Sequence, residues 1–174
     1  MAWRRDSSAP NNAGTGVVSI QNRKMINCKR TDFQDEDFKL LVSHLDAELL
    51  ELDGAEHAFY AQFNTITALK YAVVAYEDGK PIGCGAVKAY SEDAMEVKRM
   101  YVSVSMRSKG IATIVLKELE NWTRELGYSY CILETGKRQP DALALYKKNG
   151  YSVIPNFGGY VEDENSVCFE KRVG

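Results

Sequence analysis

The chain has 174 residues, of which 45% are hydrophobic and 26% are charged, as in ordinary soluble globular proteins. This length suits one domain with a substantial core and is short for two. No apolar run approaches the roughly 18–20 residues that a membrane-spanning helix needs, and the N-terminus lacks a signal-peptide pattern. We therefore expect a cytoplasmic protein with no membrane partner.

Charge is distributed unevenly along the chain. Residues 1–30 carry six basic residues and one acidic residue, a net charge of +5, which leaves −7 for the rest of a chain whose formal total is −2. An acidic body holds a nucleic-acid backbone poorly, so we expect no nucleic-acid partner, with binding through the basic segment as the alternative. The same acidity favours a small cationic amine as ligand.

The first 24 residues differ in composition from those that follow. Residues 1–24 are rich in Ser, Asn, Gly and Ala and show weak periodicity, which predicts an N-terminal extension that is disordered or added to the natural chain. Met25 is then the natural start. An organelle-targeting peptide is the alternative, because the segment contains Arg and few acids, but its amphipathicity is poor.

The cysteines and histidines do not form a metal-binding pattern. Cys28, Cys84, Cys131 and Cys168 are far apart, no C-x-x-C pair occurs, and the chain has only two histidines. We therefore expect no metal, and four buried free thiols in a reducing compartment.

Hydrophobic periodicity and turn residues predict alternating strands and helices, in chain order. A strand at 25–30 precedes a helix that begins at Thr31 or Asp32 and stops at Gly54. A shorter helix is predicted at 55–64, and Asp78-Gly79 predicts a hairpin turn within 70–90. The later elements are a strand at 94–104, a helix at 110–127, a strand at 128–135, a helix at 139–150 and closing strands at 151–154 and 165–171.

The passage from strand to helix at 105–113 has the features of an anion site. A helix begins with unpaired N–H groups and a positive dipole end. Gly110 and Ala112 keep this turn free of bulky side chains, so that a phosphate could contact the backbone, and Arg107 and Lys109 add positive charge. The alternative is an ordinary capped helix with solvated cations.

Two motifs around this turn resemble the GNAT superfamily of N-acetyltransferases. The first reads Arg107-x-x-Gly110-x-Ala112, and the second reads Gln139-x-x-Ala142-x-x-Leu145-Tyr146-x-x-x-Gly150-Tyr151. The resemblance covers about residues 25–171. It implies a single domain at 25–174 with the α/β (α+β) GNAT fold: a mixed, mostly antiparallel, twisted sheet of about six to seven strands with splayed central strands, flanked by about four helices.

The resemblance also implies acetyl-CoA as co-substrate and assigns residues to it. The pyrophosphate would lie on the backbone amides of the turn and the pantetheine arm would pair with the preceding strand. The implied cofactor-binding residues are Met100, Tyr101, Val102, Arg107, Ser108, Lys109, Gly110, Ile111, Ala112, Gln139 and Tyr146.

Acetyl transfer needs a neutral amine, a polarised thioester carbonyl and a proton for the departing thiolate. By resemblance, Tyr146 holds the usual general-acid position; its alternative role is packing on an amphipathic helix. Glu96 and Glu134 are the candidate bases, with Glu96 ranked first, and either could instead be a solvated carboxylate at a strand end. No covalent nucleophile is needed, so the cysteines are interpreted as core thiols.

The function predicted from sequence is therefore direct N-acetylation of a primary amine on a small molecule. The alternatives are acetylation of protein N-termini or lysines, and a non-catalytic module that only binds CoA. The family resemblance also allows a homodimer formed through the C-terminal strands.

Overall fold

The computed structural model describes residues 25–174, which form one seven-stranded sheet and four α-helices. The predicted extension at 1–24 lies outside the described residues. The strands are β1 (Ile26–Thr31), β2 (Tyr71–Glu77), β3 (Lys80–Ala89), β4 (Ala94–Val102), β5 (Tyr130–Gly136), β6 (Ser152–Ile154) and β7 (Ser166–Arg172). The helices are α1 (Glu36–Asp53), α2 (His57–Ala61), α3 (Ile111–Glu125) and α4 (Pro140–Lys148).

The sheet order is β1-β2-β3-β4-β5-β7-β6, and every neighbouring pair is antiparallel except β4 and β5. This mixed, mostly antiparallel sheet of seven strands confirms the predicted fold class. The predicted hairpin is also confirmed, since Asp78 and Gly79 join β2 to β3 with φ angles of 50° and 76°. Positive φ at both central residues is the backbone of a tight hairpin turn.

Apolar residues cover both faces of the sheet and form two cores. On one face, Phe38, Leu41 and Val42 of α1 pack against β2, β3 and Tyr101 of β4. On the other face, α3 contributes Ile111, Val115, Leu116 and Leu119, all almost fully buried. The side chains of α1 and α3 that pack inward recur every three or four residues, which is the helical period.

Several predicted boundaries were wrong by a few residues, those of α1, α2 and β4 among them. Helix α1 begins at Glu36, because Asp35 accepts a hydrogen bond from the Phe38 amide at 2.9 Å and is the N-cap. Thr31 belongs to β1, and Asp32 accepts the Gln34 amide in a turn. The helix predicted at 55–64 is a 3-10 turn followed by the five-residue α2. Strand β4 ends at 102, not 104, and a 3-10 turn follows.

Strand β4 contains a β-bulge near its middle. Lys98 pairs with Ala86 and Tyr101 pairs with Cys84, so Arg99 and Met100 together lie opposite Gly85. Arg99 has a φ of 57°, and its carbonyl accepts the Cys84 thiol at 3.5 Å. A bulge bends its strand and leaves backbone groups without ladder partners.

The two central strands separate beyond a short parallel ladder. Strands β4 and β5 pair at three positions, of which the last is Glu96 with Ile132. Strand β7 continues beside β5 as far as Gly136, while β4 continues beside β3 as far as Val102. The sheet therefore opens into a cleft between the carboxyl ends of β4 and β5, as the predicted splay of central strands requires.

Candidate active site

A cavity of about 930 Å³ fills the cleft between β4 and β5. Helix α1 forms one wall, the N-termini of α3 and α4 form the other, and both central strands form its floor. Every site residue predicted from the sequence lines this cavity except Lys109, whose amine lies 3.5 Å from the sulfur of Met106. The volume lies in the range of small-molecule binding clefts.

The N-terminus of α3 offers backbone donors to this cavity. The first hydrogen bond within the helix runs from the Ile114 amide to the Gly110 carbonyl at 3.1 Å, so the three amides of residues 111–113 have no backbone acceptor within residues 25–174. Ser108 and Gly110 both adopt left-handed φ angles, 61° and 83°. A Cβ placed on Gly110 would meet no atom within 4 Å, so the space in front of these amides is open.

The cavity-facing edge of β4 offers a second set of backbone groups. Beyond Glu96 this edge has no strand partner within the described chain, although Met100, Tyr101 and Val102 line the cavity. Backbone amides and carbonyls in such a position require partners from a ligand or from water. An extended molecule with amide groups fits this requirement.

Arg107 bridges the two walls of the cleft. Its guanidinium donates to both carboxylate oxygens of Glu48 on α1, at 2.9 and 2.7 Å, and its Nε donates to the Val102 carbonyl at 3.0 Å. Both ionic side chains are about two-fifths exposed, so this ion pair can exchange with solvent or with an anionic ligand.

The two predicted carboxylates occupy different environments. Glu96 accepts a hydrogen bond from Lys98 at 3.0 Å, and both side chains are nearly buried. The Glu134 Oε1 atom lies 2.7 Å from the Ser166 Oγ, within hydrogen-bond distance. Burial raises the pKa of Glu134 to about 7; Ser166 and Lys98 oppose this shift, while Asp163 and Glu96 reinforce it.

Tyr146 joins the core to the cavity. Its ring packs against Tyr151 and Phe169, with centroids 5.7 and 5.9 Å away. The side chain lines the cavity, and its hydroxyl makes no hydrogen bond within residues 25–174. Burial, with the nearby Glu134 carboxylate, raises the pKa of Tyr146 above its usual value, so the phenol keeps its proton at neutral pH.

The cysteines are not placed for nucleophilic chemistry. All four are free thiols; three are buried and Cys28 is half-buried, so the prediction of four buried thiols was wrong for Cys28. Burial raises the pKa of Cys84 to about 12, which keeps this thiol protonated.

Within residues 25–174, no cluster of His, Cys, Asp and Glu is arranged to hold a metal ion, and no helix is long and apolar enough to cross a membrane.

Several residues at the cavity were not identified from the sequence. They are Glu48 on α1, Tyr60 on α2, Tyr160 before β7, and the pair Asp163 and Ser166, of which Glu48, Tyr60 and Tyr160 line the cavity directly. In the sequence, the segment from Asp163 to Ser166 has the pattern of an ordinary polar turn before a strand. Only the pairing of β7 with β5 brings it beside Glu134.

Comparison with known proteins identifies the family to which this fold and cleft belong. Residues 34–151 match the acetyltransferase (GNAT) family. The chain belongs to the GNAT acetyltransferase family. It is therefore an acyltransferase that uses acetyl-CoA as acetyl donor, which confirms the resemblance drawn from the two motifs.

Individual GNAT relatives agree with this assignment. The chain is 34% identical over 134 residues to an IAA acetyltransferase of Azospirillum brasilense, covering 75% of this chain and 87% of that protein. A structure described as a candidate acyl-CoA N-acyltransferase of Klebsiella pneumoniae is 29% identical, with a TM-score of 0.73 and coverage of 86% and 99%. The PaiA N-acetyltransferase of Thermoplasma acidophilum, solved with coenzyme A, is 17% identical with a TM-score of 0.64 over 85% and 99%, a likeness of fold alone.

Proposed function

We propose that this GNAT enzyme transfers the acetyl group of acetyl-CoA directly to a primary amine of a small molecule. The observation that carries the proposal is the cleft between β4 and β5, where free backbone amides, a protonated phenol and a buried carboxylate line one cavity. Direct transfer needs these three kinds of group and no covalent intermediate.

The donor-binding half of the cleft fits acetyl-CoA. We place the pyrophosphate at the amides of residues 108–112 at the N-terminus of α3, and the pantetheine arm along residues 100–102 of β4. Arg107 and Gln139 border the same space. The Thermoplasma acidophilum protein, which shares this fold, was solved with coenzyme A bound, which supports coenzyme A as a ligand of the fold. When bound, acetyl-CoA supplies an activated acetyl group as a thioester.

We propose Glu134 as the base that takes the amine proton. Glu96 is already engaged in a hydrogen-bonded ion pair with Lys98 at 3.0 Å, so its carboxylate is less available to an incoming amine. Burial raises the pKa of Glu134 to about 7, close to neutral pH, where a general base works best. Glu96 and Lys98 then form an ion pair that borders the acceptor.

We propose Tyr146 as the acid that protonates the departing thiolate. Its side chain lines the cavity, and its hydroxyl has no hydrogen-bond partner in the described chain. Because its pKa is raised, the phenol holds a proton to give. A backbone N–H of residues 100–102 would polarise the thioester carbonyl.

The acceptor end of the cavity favours a positively charged small molecule. Asp53, Glu96 and Glu134 line this end, and the leucines of α1 at positions 45, 49 and 52 supply an apolar wall. Carboxylates attract an ammonium group and raise its local concentration. The bounded volume, with α1 and α2 closing one side, fits a small acceptor better than a peptide chain.

An acceptor screen tests this function. The full-length protein is mixed with acetyl-CoA and a panel of small primary amines, matched alcohols and short peptides with free N-termini, and release of CoA thiol is measured. We expect turnover with cationic primary amines and none with the matched alcohols. Turnover confined to peptides would contradict the small-molecule acceptor. Tight acetyl-CoA binding by calorimetry with no turnover on any acceptor would favour the non-catalytic binding module.

A further inference from the structure

A continuous row of hydroxyl and carboxylate oxygens leads away from Glu134. The Ser166 Oγ lies 2.7 Å from Glu134 Oε1 and 2.6 Å from Asp163 Oδ2. The Tyr60 hydroxyl donates to the same Asp163 oxygen at 2.8 Å, and the Asn165 amide donates to the other oxygen at 3.0 Å. The row begins in the cavity, passes through Ser166, which is 4% exposed, and ends at the partly exposed Asp163.

Both short contacts of Ser166 can be hydrogen bonds only when the row holds one proton more than its hydroxyl groups supply. Ser166 has a single hydroxyl proton but lies within hydrogen-bond distance of two carboxylates. One of the two contacts therefore requires a carboxyl proton, on Glu134 or on Asp163. If Ser166 donates to Asp163, then Glu134 must donate to Ser166.

The surroundings of the two carboxylates decide which one holds that proton. Burial acts to raise the pKa of Asp163, but hydrogen bonds from Ser166, the Asn165 amide and Tyr60 outweigh it and hold that pKa below its usual value. Burial instead raises the pKa of Glu134. When the row holds this extra proton, Glu134 therefore carries it and Ser166 donates to Asp163; when Glu134 is ionised, Ser166 donates to only one of the two carboxylates.

We propose that Ser166 and Asp163 form a proton exit that returns Glu134 to its ionised form during each turnover. The inference rests on the proposed role of Glu134 as base. Both residues act through Glu134 and contact no substrate, so they are positioning residues. Such an exit is useful because the acceptor and acetyl-CoA together would fill the cavity and restrict water beside Glu134.

The relay is a pair of balanced proton transfers. The cycle begins with Glu134 ionised, and the amine nitrogen gives its proton to this carboxylate. Glu134 then passes a proton to the Ser166 oxygen while Ser166 passes its own to Asp163, and Asp163 releases that proton to solvent. No bond other than O–H and N–H bonds changes, and Ser166 ends each cycle as a neutral hydroxyl.

Other groups near Glu134 set the pH range in which the exit works. Lys98 favours the ionised form of Glu134, whereas Glu96 and Asp163 disfavour it. The titratable and charged groups that face Glu134 from the elements around it are Tyr60, Glu96, Lys98, Tyr146, Tyr160, Asp163 and Cys168.

The test compares Ser166→Ala and Asp163→Asn with the matched control Ser166→Thr, which keeps a hydroxyl. Turnover of the best acceptor from the screen is measured at fixed pH and ionic strength over a range of imidazole concentrations. We expect kcat to fall about tenfold in Ser166→Ala and Asp163→Asn, less than the ~10²-fold or more for loss of the base itself. Added imidazole should restore both variants, because it carries the proton out, and should not affect the wild type or Ser166→Thr.

A second measurement separates failure of the exit from failure of the proposed function. Carbon NMR of the glutamate carboxyls in the free protein, with Glu134→Gln to assign the signal, gives the pKa of Glu134 without any acceptor. We expect that pKa to be about 7 in the wild type and lower in Asp163→Asn, since a nearby negative charge is gone. An unchanged pKa, unchanged turnover in both variants, or a loss of turnover that imidazole does not restore would each overturn the proton exit.

Discussion

Tyr146 has a packing role, carried by its ring, and a proposed chemical role, carried by its hydroxyl group. The two roles can be tested separately, because a phenylalanine differs from tyrosine only by the absence of the hydroxyl group. Its ring belongs to the core, stacked edge-on against Tyr151 and tilted against Phe169. Its hydroxyl belongs to the cavity. Removal of the oxygen leaves the packing in place, so its effect reports on chemistry.

We expect Tyr146→Phe to lower kcat by roughly 10²–10⁴-fold, toward the low end because a CoA thiolate is a fairly good leaving group. Affinity for acetyl-CoA should change little. Steady-state kinetics and calorimetry measure the two effects. The matched control is Tyr151→Phe, which removes a hydroxyl from the same stack outside the cavity and should keep nearly full activity. Full activity in Tyr146→Phe would show that solvent protonates the thiolate.

Individual site residues differ in how far the sequence predicts them. Tyr146 and Gly110 lie in motifs of fixed spacing, so the sequence alone is enough to assign them to the cleft. It is not enough for Asp163 and Ser166, because their position beside Glu134 depends on the register between β5 and β7, where Gly136 pairs with Ser166. Long-range register is set by packing across the whole sheet and leaves no local pattern.

At the level of single elements, α3 depends on a glycine at each end. Gly110 before the helix and Gly127 after it both adopt left-handed φ angles, 83° and 90°, and both have open space where a Cβ would lie. They therefore impose the same backbone constraint at opposite ends of one helix. Only Gly110 borders the cavity.

This symmetry provides a controlled test of the phosphate site. Valine at either glycine should destabilise the protein by about 1–2 kcal/mol through left-handed strain. Gly110→Val should also weaken acetyl-CoA binding severely, because the side chain enters the space before the α3 amides, whereas Gly127→Val should bind normally. Calorimetry with thermal melts measures both effects. Equal acetyl-CoA affinity in the two folded variants would contradict the placement of the pyrophosphate at α3.

The bulge in β4 depends on a glycine in β3, Gly85, whose lack of a side chain leaves room for Met100. A Cβ on Gly85 would lie 2.5 Å from the Met100 sulfur and 2.8 Å from Leu119 Cδ1. We expect Gly85→Ala to destabilise the fold by about 1–3 kcal/mol through overpacking. Denaturant unfolding measures this loss. The double variant Gly85→Ala with Met100→Ala should lose less stability than the sum of the two single variants. Purely additive losses would show that the bulge is not packed against this site.

The bulge also shows why element positions are easier to predict than their irregularities. The strand at 94–102 follows from its apolar pattern and β-forming residues, and the sequence predicts it to within two residues at its end. Its bulge depends on Gly85 in another strand and on Leu119 in α3, which packs against that position. The start of α1 was missed for a local reason, because Asp35 and neither Thr31 nor Asp32 accepts the amide of the first helical turn, that of Phe38.

At the scale of the whole molecule, Glu134 couples global stability to pH. Its pKa is about 7 in the folded protein against an ordinary value of 4.5, so the folded protein binds more protons than the unfolded chain between these values. Stability from this group is complete below about pH 4.5 and is lost as pH rises through about 7. A raised carboxyl pKa thus makes the folded protein weaker at alkaline pH.

We expect Glu134→Gln to remove this dependence. Relative to the wild type, the variant should gain about 1–3 kcal/mol in free energy of unfolding between about pH 5 and pH 8. Urea unfolding at both pH values gives the difference. Glu92→Gln, an exposed carboxylate in the turn before β4, is the control and should show no such gain. Parallel pH dependence in Glu134→Gln and the wild type would mean that Glu134 is not a buried acid.

Strands β4 and β5 pair at three positions, so a very short ladder joins the two halves of the sheet. One half of the sheet is β1 to β4 and the other is β5 to β7, and within residues 25–174 the two halves share backbone hydrogen bonds only around the pairs from Ala94 to Glu96. A donor molecule bound along β4 would make the backbone hydrogen bonds that β5 does not make beyond Glu96, and would so hold the two halves of the sheet together. Without it, the amides of residues 97–102 that face the cavity and do not pair with β3 should exchange quickly, and their exchange should slow when acetyl-CoA is bound.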